Sequence, residues 1–193
     1  MASDEQSRWD RQHSSSRGGD QPSSYLRQIL ESDAWHIPRG LALDVAAGKG
    51  RNAIFLAEMG FSVVGIDISS VALEEARRRA DEKSLAITWL QADLEQIELP
   101  TDAYDLIVNF NYLQRSLFPQ IRRALRPQGH VIFETYLIDQ QAIGHPKNPA
   151  YLLDHQELLG HFPSLRVLCY REGKYIDTRE AAFRAGIFAQ KIR

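Results

Sequence analysis

Residues 41–52, with the sequence LALDVAAGKGRN, constrain the fold of this chain more than any other segment. The apolar residues at the start of the segment predict a buried parallel strand over residues 41–46. Gly48 and Gly50 form a turn, and the apolar run that follows predicts a helix over residues 52–59. Strand, glycine turn and helix in this order let the backbone approach a nucleotide-like ligand closely. The segment therefore predicts an α/β sheet with a ligand site at the carboxyl end of the first strand.

Two acidic residues narrow the choice of ligand. A second strand-like run, residues 62–66, ends in Asp67, nineteen residues after Gly48. An acid at this place accepts hydrogen bonds from ribose hydroxyls, and the two glycines with Ala53 also satisfy the dinucleotide pattern G-x-G-x-x-A. Asp44, however, lies just before the turn, where a carboxylate opposes a pyrophosphate and favours a cation. S-adenosylmethionine fits this charge because it keeps ribose and adenine, lacks phosphate, and carries a sulfonium and an ammonium.

Several motifs of the chain resemble one enzyme family. The run DVAAGKG, residues 44–50, resembles the cofactor loop of class I S-adenosylmethionine-dependent methyltransferases, with Ala46 where that family has glycine. The LRPQG run, residues 125–129, resembles the family's turn into its fifth strand. The GRN triplet and the NYLQRSLF segment resemble the small tellurite-resistance and thiol-methyltransferase type. The strong resemblance covers residues 41–136, and it implies transfer of a methyl group to a small nucleophile such as a thiol or a chalcogen oxyanion.

Strand-like and helical patterns alternate along the chain, which predicts a doubly wound, mostly parallel α/β sheet. Two late strand-like runs with Gly173 between them resemble the family's final antiparallel hairpin, which completes a seven-stranded sheet with an antiparallel final strand. We expect one methyltransferase domain over residues 22–193. The other predicted strands are 86–92, 104–109, 130–136, 165–171 and 181–191, and the other predicted helices are 22–30, one capped by Ser69 or Ser70, one through Ile121 and Leu125, and a short one from Asp154.

Composition and charge exclude several classes of protein. Hydrophobic residues make up 44% of the 193 residues and charged residues 25%, which is ordinary for a globular domain. The net charge of −2 gives no general reason to expect nucleic acid or membrane as a partner. Neither a membrane span nor a signal peptide is apparent, so a cytoplasmic location is the default. We expect a monomer or weak homodimer, and neither the scattered histidines nor Cys169 predict a metal site.

The first 21 residues form a polar arm whose role has two interpretations. Its Ser, Gly and charged residues are typical of a mobile tail. The pair Trp9 and Asp10, however, resembles the N-terminal arm of many small methyltransferases, which implies a lid over the site. Both interpretations remain open at this point.

The cofactor-binding residues are predicted from strand ends, where doubly wound sheets bind ligands, and from the family resemblance. Asp67 is expected to bind ribose and Ile68 to pack on adenine. Asp93, in the run QADLE, resembles the family acid that accepts a hydrogen bond from the adenine amine. A turn-capping role is the alternative, and we favour the adenine contact. The full predicted set is Asp44, Ala46, Gly48, Gly50, Arg51, Asn52, Asp67, Ile68, Asp93, Leu94 and Asn109.

The acceptor pocket is expected beside the end of the fourth strand. Asn109 and Tyr112 match the ends of a motif found in DNA N-methyltransferases, but Phe110 and Asn111 replace its two prolines, which disfavours a nucleic-acid acceptor. None of these residues is a strong general base near neutral pH. The candidates for acceptor binding or catalysis are Asn109, Tyr112, Arg115, Tyr136 and His145.

Two other functions are compatible with the sequence. One is an NAD-dependent oxidoreductase, because Tyr170 and Lys174 form the Y-x-x-x-K pair of short-chain dehydrogenases. That pair works from one face of a helix, whereas here it lies in a strand-like run, which favours coincidence. The other is a non-catalytic module that binds S-adenosylmethionine and presents it to a partner. Cofactor binding and methyl-transfer assays separate the three possibilities.

Overall fold

Seven strands form one continuous sheet in this computed structural model, which describes residues 2–15, 19–177 and 180–193. The strand order is β3-β2-β1-β4-β5-β7-β6, with β1 to β5 parallel and β7 antiparallel to both of its neighbours. The predicted doubly wound sheet with an antiparallel final strand is thereby confirmed. The strands are β1 (Leu41–Val45), β2 (Ser62–Asp67), β3 (Ile87–Gln91), β4 (Tyr104–Phe110), β5 (Leu125–Tyr136), β6 (Leu165–Asp177) and β7 (Glu180–Lys191).

Helices cover both faces of the sheet. Side chains alternate across each strand, so Ala42 packs with α2 and α3 on one face while Leu43 packs with α5 and α6 on the other. Within the described ranges, no helix is long and apolar enough to span a membrane. The helices are α1 (Ala2–Ser15), α2 (Ser24–Leu30), α3 (Arg51–Glu58), α4 (Ser70–Glu82), α5 (Leu117–Ala124) and α6 (Glu157–His161), and two 3-10 turns lie at Ile138–Ala142 and Pro149–Tyr151.

The transition from α5 to β5 falls earlier than predicted. The helix was expected to run through Leu125, but it ends at Ala124, and β5 begins at Leu125 with an extended backbone (φ −67°, ψ 132°). Leu125 is fully buried and pairs with Tyr104 of β4. Pro127 disfavours helical geometry in the residue before it, so the chain is extended ahead of the proline.

The predicted break at Gly173 is wrong, because β6 continues through it to Asp177. Gly173 pairs with Arg184 of β7, and its φ of 138° suits glycine in particular. Pairing between β5 and β7 stops at Tyr136, so β6 and β7 continue past the sheet paired with each other.

The N-terminal arm contains a helix that the sequence analysis did not predict. Helix α1 packs against α4. Its residues are mostly polar and exposed, so it lacks the apolar stripe by which an amphipathic helix is detected. The serine-rich part of the arm falls partly outside the described residues.

Candidate active site

A cavity of about 370 Å³ lies at the carboxyl edge of the sheet. Parallel strands end together at this edge, so the segments that follow β1, β2, β3 and β4 meet there. Helix α1 closes part of the opening by contributing three side chains to the wall. The wall is formed by residues 46–49 after β1, Arg51 and Asn52 of α3, Asp67 and Ile68 after β2, residues 92–95 after β3, residues 110–112 after β4, Gly19, and Glu5, Trp9 and His13 of α1.

Asp44 lies outside the cavity wall, behind the glycine turn, with an incompletely satisfied carboxylate. It is 1% exposed, and its Oδ2 atom has no hydrogen-bond partner among the described residues. Burial raises the pKa of Asp44 to about 7, an effect that a backbone N–H of Ala53 and the charge of Arg51 partly offset. A buried carboxylate oxygen without a donor is costly, so this position suits a positively charged or hydrogen-donating ligand group.

Asp67 ends β2 and holds the glycine turn against the next loop. Its Oδ2 accepts from the backbone N–H of Gly48 at 2.7 Å, and its Oδ1 accepts from the N–H of Ser69 at 2.8 Å. Burial raises the pKa of Asp67, while these two N–H groups and the nearby His13 lower it. Each carboxylate oxygen has more than one acceptor site, so both can accept further hydrogen bonds from ligand hydroxyls.

The two glycines of the turn have different roles. Gly48 lines the cavity with a φ of 54°, as predicted for close approach of a ligand. Gly50 (φ 77°) lies outside the wall, and a Cβ atom there would be 2.6 Å from the Trp89 ring and 2.9 Å from Ala76. Its predicted role beside the cofactor is therefore corrected to a packing role beneath the turn. Ala46 also has a positive φ, of 53°, which strains a residue with a side chain.

In the GRN triplet, Asn52 makes a structural contact and Arg51 lies in the cavity wall. Asn52 is 5% exposed, and its Oδ1 accepts from the backbone N–H of Ser23, so it joins the start of α2 to α3. Arg51 lies in the cavity wall near Asp44, whose pKa it lowers. A contact between Arg51 and the cofactor carboxylate stays a prediction.

The segment after β3 forms a turn and part of the cavity wall, and the adenine contact of Asp93 stays a prediction. Asp93 caps a turn, because its Oδ1 accepts from the N–H of Glu95 at 2.9 Å, and it also lines the cavity. Ile68 and the buried Leu94 provide apolar wall nearby. This combination of a carboxylate and apolar side chains suits the adenine end of the predicted cofactor.

At the end of β4, Asn111 and Tyr112 line the cavity, whereas the predicted residue Asn109 does not. Asn109 is 1% exposed and lies outside the cavity wall, where its Nδ2 donates to the Tyr112 carbonyl at 2.8 Å and fixes the turn. Tyr112 lines the wall, and burial followed by the charges of Glu95 and Asp93 raises its pKa. Tyr112 is therefore protonated at neutral pH. Asn111, which the sequence analysis did not select, lines the wall with a positive φ of 60°.

Three further acceptor candidates, in addition to Asn109, lie outside the cavity wall. Arg115 pairs with Glu157 through two hydrogen bonds, of 2.7 and 2.9 Å, and also donates to the Leu152 carbonyl at 2.9 Å. It therefore ties the β4–α5 loop to α6, which removes the geometric support for its predicted contact with an acceptor anion. His145 is exposed on the loop after β5. Tyr136 is half-buried at the end of β5, where its hydroxyl accepts from Arg184 at 3.0 Å.

Sequence reasoning left the role of the N-terminal arm open and did not select Glu5 or His13 of α1 or Arg184 of β7. Of the histidines, His13 alone lines this cavity in the described part of the chain, and burial lowers its pKa. The WD motif was the available signal for α1, since its Asp10 accepts from Ser69 Oγ at 2.6 Å. No cluster of three potential metal ligands occurs among the described residues.

The fold and one domain match indicate which class of protein the chain resembles. Residues 42–129 match a family model described as a methyltransferase domain. TehB from Haemophilus influenzae superposes with a TM-score of 0.70 at 18% identity, over 86% of this chain and 66% of that one. An S-adenosylmethionine-dependent methyltransferase from Mesorhizobium loti gives 0.67 at 20% identity, over 87% of this chain and 99% of that one. The domain match supports the class I S-adenosylmethionine-dependent methyltransferase family that the sequence analysis predicted, and the two solved structures share its fold.

A curated relative supports the same class. The putative methyltransferase YqeM of Bacillus subtilis is 34% identical over 107 residues, which are 51% of this chain and 43% of the relative. The chain thus spans less than half the length of this relative. The similarity supports a shared cofactor-binding domain and does not indicate the methyl acceptor.

The cavity fits the cofactor that the class implies. Asp44 supplies an unpartnered, buried oxygen beside the glycine turn, which suits the ammonium group of S-adenosylmethionine. Asp67 supplies acceptors for ribose hydroxyls, and Asp93 with Ile68 and Leu94 suits adenine. A Cβ atom at Gly48 would lie 3.5 Å from the His13 ring, so a side chain there would fill the space between the glycine turn and α1.

Proposed function

We propose that the protein transfers a methyl group from S-adenosylmethionine to a small-molecule nucleophile. The observation that carries the proposal is the buried Asp44 carboxylate, whose Oδ2 lacks a donor beside a glycine turn that opens into the cavity. A pyrophosphate-bearing dinucleotide would place negative charge near this group and near Asp67, whereas S-adenosylmethionine brings positive charge. The oxidoreductase alternative is further weakened because Tyr170 and Lys174 both lie on β6 rather than on a helix.

The protein's contribution to such a reaction is alignment and exclusion of water. The cofactor supplies a methyl group activated by a sulfonium, which leaves as a neutral thioether. The chain holds the cofactor through the loop ends of β1 to β3 and presents Phe110, Asn111 and Tyr112 from β4 toward the acceptor space. A strong base is needed only for a nucleophile that arrives protonated.

We infer that the acceptor arrives as an anion or as a polarisable lone pair, with thiols and chalcogen oxyanions as the leading classes. Tyr112 is protonated because its pKa is raised, Asn109 is neutral and bonded to a backbone carbonyl, and His145 is exposed outside the wall. These candidates therefore provide no strong base, so an aliphatic alcohol would depend on another wall residue such as His13, whereas a thiolate would not.

Transfer of labelled methyl across a panel of acceptors tests the proposal directly. The panel contains thiols, selenite and tellurite, phenols, carboxylates, proteins and RNA. With saturating cofactor, transfer to thiols is expected to rise with the thiolate fraction between about pH 8 and 10, near ordinary thiol pKa values. Methyl transfer to alcohols or RNA alone would contradict the acceptor class. Tight S-adenosylhomocysteine binding without transfer to any acceptor would support a non-catalytic module.

We also propose that α1 acts as a lid over the cavity. Glu5, Trp9 and His13 line the wall, and Asp10 anchors the helix by accepting from Ser69 Oγ and from the Val71 N–H at the start of α4. The lid role would couple docking of the helix to cofactor binding.

Replacing Asp10 with Ala is expected to weaken S-adenosylhomocysteine binding by roughly two- to tenfold, because the anchoring hydrogen bonds are lost. Calorimetry measures the affinity, and limited proteolysis measures protection of α1 by the ligand. Asp4, which is exposed on the same helix, provides the matched control Asp4→Ala. Deletion of residues 1–21 should have at least the effect of Asp10→Ala. Unchanged affinity and equal cleavage with and without ligand would instead identify a tail.

A further inference from the structure

A buried cluster of charges lies beside the acceptor end of the cavity. Glu134 on β5 is 1% exposed and accepts from Nε and Nη2 of Arg171 on β6. Arg184 on β7 lies on the other side, with its Nη1 3.8 Å from the second Glu134 oxygen. Within the described chain, no other carboxylate forms an ion pair with either arginine. One carboxylate therefore faces two guanidinium groups, which leaves an excess of positive charge.

Arg184 has a hydrogen-bonding capacity that the fold does not use. Its side chain is only 11% exposed, and its Nε has no hydrogen-bond partner among the described residues. Its Nη2 donates to the Tyr136 hydroxyl at 3.0 Å, and its guanidinium lies over the Tyr136 ring at 4.3 Å. A buried donor without an acceptor is unfavourable, and it is satisfied when an anionic ligand supplies the missing oxygen.

Asn111 links Arg184 to the cavity. Arg184 Nη1 donates to Asn111 Oδ1 at 2.6 Å, and Asn111 is an exposed residue of the cavity wall. A ligand oxygen can replace this amide oxygen, because a carboxylate or oxyanion accepts more strongly from a guanidinium than a neutral amide does. The planar guanidinium also offers two parallel donors to such a group.

The acidic residues of the cavity and Arg184 lie on distant strands of the sheet. Asp67, which suits ribose, ends β2, and Asp93, which suits adenine, follows β3, so both lie at one side of the site. Arg184 lies on β7, four strands from β2 in the order β2-β1-β4-β5-β7. At roughly 4.8 Å per strand, the spacing between β2 and β7 is about 19 Å. The ribose and adenine part of the cofactor and an anionic acceptor can therefore occupy opposite ends of the site.

We propose that Arg184 determines acceptor specificity by binding an anionic group of the acceptor, a carboxylate or an oxyanion, at the Asn111 side of the cavity. This inference rests on the proposed methyl transfer and adds the charge of the acceptor to it. The anionic group serves recognition and is separate from the nucleophilic atom in a carboxylate-bearing thiol.

Mercaptoacetate and mercaptoacetamide provide a matched pair of probes, since they carry the same thiol with and without a carboxylate. In the full chain, with rates expressed per thiolate, the wild-type KM for mercaptoacetate is expected to be at least roughly tenfold lower than its KM for mercaptoacetamide. Arg184→Gln should raise that KM by roughly ten- to a hundredfold and change the KM of mercaptoacetamide less than about threefold. Arg166→Gln, an exposed arginine on β6, removes the same charge and is the control.

Binding measurements separate this inference from the proposed activity. Calorimetry of mercaptoacetate with the S-adenosylhomocysteine complex should show the same loss in Arg184→Gln, and S-adenosylhomocysteine affinity should be unchanged. Arg184→Lys, which keeps the charge but loses the planar donors, covers the case in which Gln prevents folding. Equal use of both probes by the wild type would overturn the role of Arg184 and leave methyl transfer intact. Absence of transfer to any acceptor of the panel would overturn the proposed function, while preferential mercaptoacetate binding would still support the anion site.

Discussion

Asp67→Asn is expected to weaken S-adenosylhomocysteine binding by roughly ten- to a hundredfold, the effect of losing hydrogen bonds to a charged acceptor. Both oxygens of Asp67 already accept from backbone N–H groups, those of Gly48 and Ser69. An amide places its NH₂ against one of these donors, so the glycine turn is also disturbed. Calorimetry measures the affinity, and thermal unfolding measures the loss of stability that accompanies it.

Asp81→Asn is the control for this experiment, because Asp81 is exposed on α4 and outside the cavity wall. It removes the same charge and should leave the affinity within about twofold of the wild type. Tight NADH binding by the wild type with no response to S-adenosylhomocysteine would contradict the cofactor assignment.

Asp44→Asn is expected to change stability and cofactor affinity in opposite directions. The pKa of Asp44 is raised by burial from 3.8 to about 7 in the folded protein. The stabilising contribution of this carboxyl is therefore fully present below pH 3.8 and is lost as the pH rises through about 7. At pH 8 the variant avoids an ionised buried carboxylate, so its melting temperature without ligand should rise by roughly 5–10 °C.

Cofactor affinity should fall in the same variant, by roughly tenfold or more at pH 8, because the ammonium group loses its charged partner. Wild-type affinity for S-adenosylhomocysteine should decrease as the pH is lowered from about 8 to 6, since Asp44 becomes protonated there. The variant should lack this dependence. Calorimetry and thermal unfolding across the same pH series measure both effects, and a variant that binds normally with an unchanged pH profile would contradict the role of Asp44.

The strands and the cofactor loop could be predicted because their signals are local. Residues 41–52 contain the whole pattern of strand, turn and helix, and Asp67 follows directly from the next strand. The role of Gly50 could not be predicted in this way, because the ring that prevents a side chain there belongs to Trp89 on β3. Contacts between segments distant in sequence decide such positions.

The acceptor side was harder to predict for a geometric reason. Sequence reasoning searched the carboxyl ends of strands, which suits β1 to β5 and selected Tyr136. Because β7 is antiparallel, it is the beginning of β7 that reaches the same edge, and Arg184 lies there opposite Tyr136. Arg115 was selected for its proximity in sequence to β4, but Glu157 of α6 binds it away from the cavity wall.

The position of β7 has a consequence for biosynthesis. β7 is the last strand of the described chain, yet it lies between β5 and β6 and pairs with both. On the ribosome, β6 emerges before the strand that joins it to the sheet, and the apolar edge of β5 around Val131 and Phe133 stays unpaired until residues 180–191 follow. Prematurely terminated chains would therefore expose an open strand edge, which favours aggregation.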